Sequence, residues 1–168
     1  MDIFVEKIVS KKKGTKDYLI IAGIVFAAII LALIVTPFLI QNGIIVIIYA
    51  GLIYGAKFLI CKLNVEYEYS VTNGAFDIDK IINQKKRKRL FSAECKDIEI
   101  MAKVKSSKFD QSIAAAPLTI KAVSTMDSPD AYFAVINSNG KKTVVYFEPN
   151  EKMLKAIKTI IASRLFVE

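Results

Sequence analysis

Histidine and tryptophan are absent from this chain of 168 residues, and cysteine occurs only twice, as Cys61 and Cys95. Without imidazole there is no histidine general base, no Ser–His or Cys–His nucleophile and no histidine ligand for a metal, and two thiols so far apart make no CxxC motif. Most enzyme classes fall at this step, and neither a metal nor another cofactor is expected. At ~100 to 200 residues per domain the length excludes a multidomain enzyme and allows one folded unit with an appendage. Charge, too, is missing in places: from Leu19 to Ile40 there is no charged residue, and from Gly43 to Ile60 only Lys57.

What is present divides into two unlike parts. Hydrophobic residues make up 54% of the chain and mean hydropathy is +0.40, yet 24% of residues are charged and the net charge is +8. The first apolar run has 22 residues, long enough as a helix to cross a hydrocarbon core of ~30 Å, and the second has 18, with Lys57 placed to snorkel. Only Gln41, Asn42 and Gly43 separate them, so the two are expected to form a transmembrane hairpin over 19–61, with Pro37 able to end the first helix a turn early. The first run exceeds a signal-peptide core and no small-residue cleavage site follows it, so it reads as a retained anchor. Lysines 7, 11, 12, 13 and 16 precede the hairpin, Lys57 and Lys62 bracket its end, and its turn is uncharged, which sets both termini in the cytoplasm. Gly51 and Gly55 form a GxxxG, and Ala28 with Ala32 a small face on the first helix; packing inside the hairpin is expected, with oligomerisation the other reading. Residues 1–18 are expected as a cytoplasmic segment, either a short amphipathic helix carrying Ile3, Phe4, Ile8 and Val9 or without structure.

From residue 62 onward the period changes to two. Val65, Tyr67, Tyr69 and Val71 alternate with Glu66, Glu68 and Ser70; Asn73 and Gly74 turn the chain; Phe76 and Ile78 resume the apolar face. Further strands are expected over 86–93, 98–104, 117–125, 132–137 and 143–147, with a second turn at Asn139 and Gly140 and a long loop over 105–116. Asn150 suits an N-cap, and Met153, Leu154, Ile157, Ile160 and Ile161 recur at helical spacing after it. The expectation is an α+β membrane protein whose cytoplasmic domain, 62–168, is a seven-stranded antiparallel partial barrel capped by one C-terminal helix and able to fold without the anchor.

This order of elements resembles that of the pleckstrin-homology (PH) superfold. Val65 to Ile100, VEYEYSVTNGAFDIDKIINQKKRKRLFSAECKDIEI, resembles the opening of bacterial PH-like domains, and a helix pair just before the domain together with the closing FEPNEKMLKAI resembles small bacterial membrane proteins of that kind. The resemblance implies assembly or protein interaction rather than catalysis, at the bacterial cytoplasmic membrane. The first hairpin loop is only Asn73 and Gly74, unlike the long basic loop of lipid-binding eukaryotic PH domains, which argues against specific phosphoinositide recognition.

The most conspicuous chemistry is the run Lys85, Lys86, Arg87, Lys88, Arg89. Three roles stay open: contact with anionic phospholipid at the inner leaflet, balancing of nearby carboxylates, and contact with nucleic acid, the last disfavoured because no aromatic is interleaved to stack on a base. Balancing has a specific basis. A two-residue turn at Asn73 and Gly74 sets Glu68 opposite Asp79 and Ser70 opposite Asp77, and with Asn83 and Gln84 as the next turn Lys88 is expected opposite Asp79. The leading function is a membrane-anchored interaction or scaffold module that binds a protein partner or its own copies as a homo-oligomer; the alternative is a peripheral sensor of anionic lipid working through residues 85–89.

Overall fold

The computed structural model describes residues 4–39, 43–110, 113, 115–138 and 141–166, and within these the chain forms two compact units. One is an all-helical pair within 12–64; the other combines the chain up to Lys11 with everything from Val65 onward.

In the helical unit α1 (Thr15–Leu39) runs unbroken through Pro37 and α2 (Ile45–Cys61) follows. Pro37 therefore does not end the helix early. Thr36 Oγ1 lies 2.6 Å from the carbonyl oxygen of Ala32 and 2.6 Å from the hydroxyl of Tyr49, a polar tie between two otherwise apolar helices. By length and composition α1 can cross a membrane. At ~1.5 Å per residue it is about 38 Å long, whereas α2, with 17 residues, reaches only about 26 Å. Of the expected Gln41–Gly43 turn, Gln41 and Asn42 lie outside the described residues, as do Asn139 and Gly140.

The second unit departs from a single seven-stranded barrel. Nine strands among the described residues build two sheets. The first has β1 (Phe4–Ser10), β2 (Val65–Thr72), β3 (Ala75–Ile82) and β4 (Lys86–Glu94) in that order, all antiparallel. The second has β6 (Leu118–Lys121), β8 (Lys141–Phe147), β7 (Tyr132–Ser138), β5 (Ile98–Lys103) and β9 (Leu165–Phe166), with β6 and β9 parallel to their neighbours. The first turn of the chain is thus neither an amphipathic helix nor a separate segment. Val5 and Val9 point into the core while Phe4, Glu6 and Ile8 face out, so the apolar residues that suggested a helical stripe include an alternating strand with its partner some sixty positions away.

The core lies between the inner faces of the two sheets. Tyr69 meets Phe147 edge to face at 5.8 Å, Phe76 lies 4.8 Å from Phe147, and α3 (Glu151–Ile161) adds Met153, Ala156, Ile157 and Ile161. As expected of an N-cap, Asn150 accepts a hydrogen bond from the Met153 amide at 2.8 Å. The helix ends at Ile161, the last residue of its apolar pattern, and a 3-10 turn leads into β9. A register shift between Ile98 and Ile100 sends Ile98 to this core and Ile100 to a second apolar cluster on the far face of the second sheet. The loop over 105–116 supplies that cluster: Phe109 stands 5.4 Å from Phe133 and 6.2 Å from Tyr146, with Ile113 buried beside them. Covering a sheet face accounts for its length.

Candidate functional site

The first sheet sorts its charges by face. In an antiparallel ladder, directly opposed residues share a face, so Glu6, Ser70, Asp77 and Ser92 fall in one outward row and Ile8, Glu68, Asp79 and Arg89 in the next. As the Asn73–Gly74 turn predicted, Glu68 is opposite Asp79 and Ser70 opposite Asp77, and Asn73 takes the positive φ of 48° that such a turn needs. Glu68 and Asp79 are both buried, an arrangement that opposes folding unless cations relieve it.

Arg87 and Arg89 relieve it. Arg87 Nη2 is 2.6 Å from Glu68 Oε2 and its Nη1 is 4.0 Å from Asp79, while Arg89 bridges Asp79 through Nε at 2.5 Å and Asp77 through Nη1 at 2.7 Å. The bond to Asp79, and the charge of both aspartates, raise the Arg89 pKa further, so that guanidinium stays charged at any working pH. The expected partner of Asp79, Lys88, is displaced by one position. Asn83 and Gln84 both adopt left-handed backbone, with φ of 51° and 55°, and the turn takes in Lys85, which pairs Ile82 with Lys86 and Asp79 with Arg89. A bulge between Ile78 and Asp79 then restores Phe91 to the apolar face.

The run 85–89 is therefore two sets of residues. Its arginines belong to the outward acidic face. Lys86 and Lys88 point to the opposite side and are exposed there, Lys88 directly opposed to Lys80. Lys80 was not among the sequence-selected residues, although its signal was readable: Phe76, Ile78, Lys80 and Ile82 alternate, which sets a lysine at an apolar-face position. The carboxylates are engaged by arginine, and among the described residues no group of three His, Cys, Asp or Glu side chains is placed to hold a metal ion.

On the helices, a Cβ at Gly51 or Gly55 would meet nothing within 4 Å. They line an open groove of about 520 Å³ with Gly23 and Ala28, while Ala32 lines a second of about 580 Å³. Cys61 closes α2 beside that second groove. Cys95 is fully buried, and desolvation followed by the nearby Glu94 carboxylate pushes its thiol up to about 11, which makes it unreactive near neutral pH.

A family model described as Bacterial PH-like domain (DUF6106) matches residues 1–167. The chain belongs to this family. The match takes in β1 and both helices as well as the two sheets, so in this bacterial PH-like protein the helix pair lies within the stretch that defines the family rather than outside it. No curated protein and no solved structure matches the chain.

Proposed function

We propose that this bacterial PH-like protein is an integral protein of the cytoplasmic membrane whose sheet domain is a non-catalytic interaction module on the cytoplasmic side, presenting a surface to a protein partner or to a second copy. The apolar length of α1 supports the anchoring, and one observation supports a hairpin. β1 precedes the helix pair and β2 follows it, yet the two strands are neighbours, with the Lys11 amide donating to the Val65 carbonyl at 2.9 Å. That adjacency supports a chain that leaves and returns on one side of the bilayer. If α1 crosses, α2 crosses back, and its shorter span is met by local thinning of the bilayer. The lysines flanking the pair assign that side to the cytoplasm. The binding reading draws on the absence of histidine and on carboxylates already neutralised by arginine.

Two measurements test this. Single cysteines at Ser10 and Lys142, in a Cys61→Ser background, are expected to react with an impermeant maleimide only after the cells are opened. Labelling of one site alone in intact cells would sink the hairpin, and labelling of both would reverse the orientation. Capture of the intact protein in mild detergent, followed by sizing, is expected to return a stable complex or a defined oligomer; a bare monomer would sink the interaction module.

A further inference from the structure

Every carboxylate on the first sheet's strands, from Glu6 and Glu66 through Glu68, Asp77 and Asp79 to Glu94, falls on the outward face. The other face carries only lysine charges. Lys80 and Lys88 are directly opposed, Lys86 stands one row beyond, and Lys85 sits in the turn between them. Like charges opposed on a ladder oppose pairing, and among the described residues no ion pair joins any of these four lysines to an acid. Folding alone does not account for the arrangement, because Arg87 and Arg89 already pair with Glu68, Asp77 and Asp79 on the far face.

Position supplies the rest. Val65, Ile82 and Lys86 form the last row of the sheet, at the end where the chain runs out from Lys11 into α1 and comes back from α2 into Val65. With strands ~4.8 Å apart, Lys86 lies about 10 Å along that row from the junction. We propose that Lys80, Lys85, Lys86 and Lys88 form a contact surface for the headgroups of anionic phospholipids, and that Arg87 and Arg89 take no part in it. This rests on the reading that the helix pair crosses the membrane. The partner is a charged surface and not one stereospecific headgroup: the lysines are exposed or half-buried point charges on flexible stems, without the planar donors that read a single phosphate bidentately.

The test uses the full chain in nanodiscs of phosphatidylcholine alone or with one lipid in three replaced by phosphatidylglycerol, and reads the rate of lysine acetylation residue by residue by mass spectrometry. Phosphatidylglycerol is expected to slow acetylation of Lys85, Lys86 and Lys88 about fivefold, the occupancy change of a lysine at an anionic surface, and to leave Lys121 and Lys142 unchanged. In K80Q/K86Q/K88Q the protection of Lys85 is lost, whereas K80R/K86R/K88R retains it, which separates charge from any effect of the substitutions on folding. Equal rates on both bilayers, with the chain still in the disc, would overturn the contact surface and leave the anchor standing. Equal protection from inorganic phosphate added to phosphatidylcholine discs would make the ligand a free anion and overturn the membrane source. A chain that fails to stay with the disc would overturn the anchor, and the contact surface with it.

Discussion

Residues of one sign and one neighbourhood do different work when they fall on opposite faces of a strand. Arg89 joins two carboxylates while Lys88, its neighbour, faces Lys80. Arg89→Gln is therefore expected to cost about 1 to 3 kcal/mol in a urea titration, since Asp79 is left buried without its main partner. Asp79→Asn in the same background recovers part of that loss. Lys88→Gln, by contrast, removes one of two opposed like charges and is expected to leave stability unchanged or raise it by up to about 1 kcal/mol. Equal losses from the two would mean that the register is not the one described. Cys95 sets an alkaline limit. Its thiol titrates near 9 when unfolded and at about 11 when folded. The native state holds the proton longer, so between these values the unfolded state binds fewer protons and stability falls as pH rises. The loss is about 2 to 3 kcal/mol by pH 11, with buried Tyr69 raised in the same direction and adding to the fall above its ordinary range. Cys95→Ala is expected to flatten the stability curve between pH 9 and 11; an unchanged slope would assign the alkaline loss to the tyrosines alone.

Elements whose signals are local were legible, and those that depend on distant partners were not. The β2–β3 hairpin follows from strict alternation and from Asn73–Gly74, and α3 from Asn150 with Met153, Ile157 and Ile161 on one stripe. β1 was hidden because Phe4, Ile8 and Val9 fit a helical stripe as well as an alternating strand, and its partner β2 lies beyond the entire helix pair. The face of Lys88 was misassigned by one residue because a positive φ at both Asn83 and Gln84 lengthens a turn whose composition reads equally as two residues or three. For the candidate site, that slip decides which cations are engaged and which are exposed. The split of the run could not be read without it. α3 offers the direct test at this scale. Ile157 is fully buried between the sheets and the helix, so Ile157→Asp sets an unpaired carboxylate in the core and is expected to remove several kcal/mol, enough to abolish a cooperative melt. Lys158→Asp on the exposed side of the same helix is expected to change stability by less than about 1 kcal/mol, mainly by adding an acid near the C-terminal end. A parent-like melt for Ile157→Asp would mean that α3 does not cover the core.

At the scale of the whole molecule the helix pair is an insertion into a β-hairpin. Ser10 pairs with Glu66, Lys11 bonds to Val65, and the intervening residues leave and re-enter between adjacent strands. The sheet domain therefore depends on chain from both sides of the insertion, and a fragment beginning at Leu63 lacks one edge of its sheet. Such a fragment exposes the β2 edge and loses the packing of Val5 and Val9 on the core, which at ~1.5 to 3 kcal/mol for a fully buried valine amounts to at least about 2 kcal/mol. Exposure of that edge also invites intermolecular pairing, against which the native edge strand β1 is protected by Lys7 on its inner face. If instead residues 12–64 are replaced by Asn-Gly, Lys11 and Val65 stand where a two-residue hairpin turn requires them, and the resulting chain is expected to be soluble without detergent and to unfold in one cooperative step. The comparison is decisive because both chains lack the helices and differ only in β1 and its turn. Should the fragment from Leu63 prove as soluble and as stable as the spliced chain, β1 would be dispensable, and the argument that the two ends of the helix pair share one side of the membrane would lose its footing.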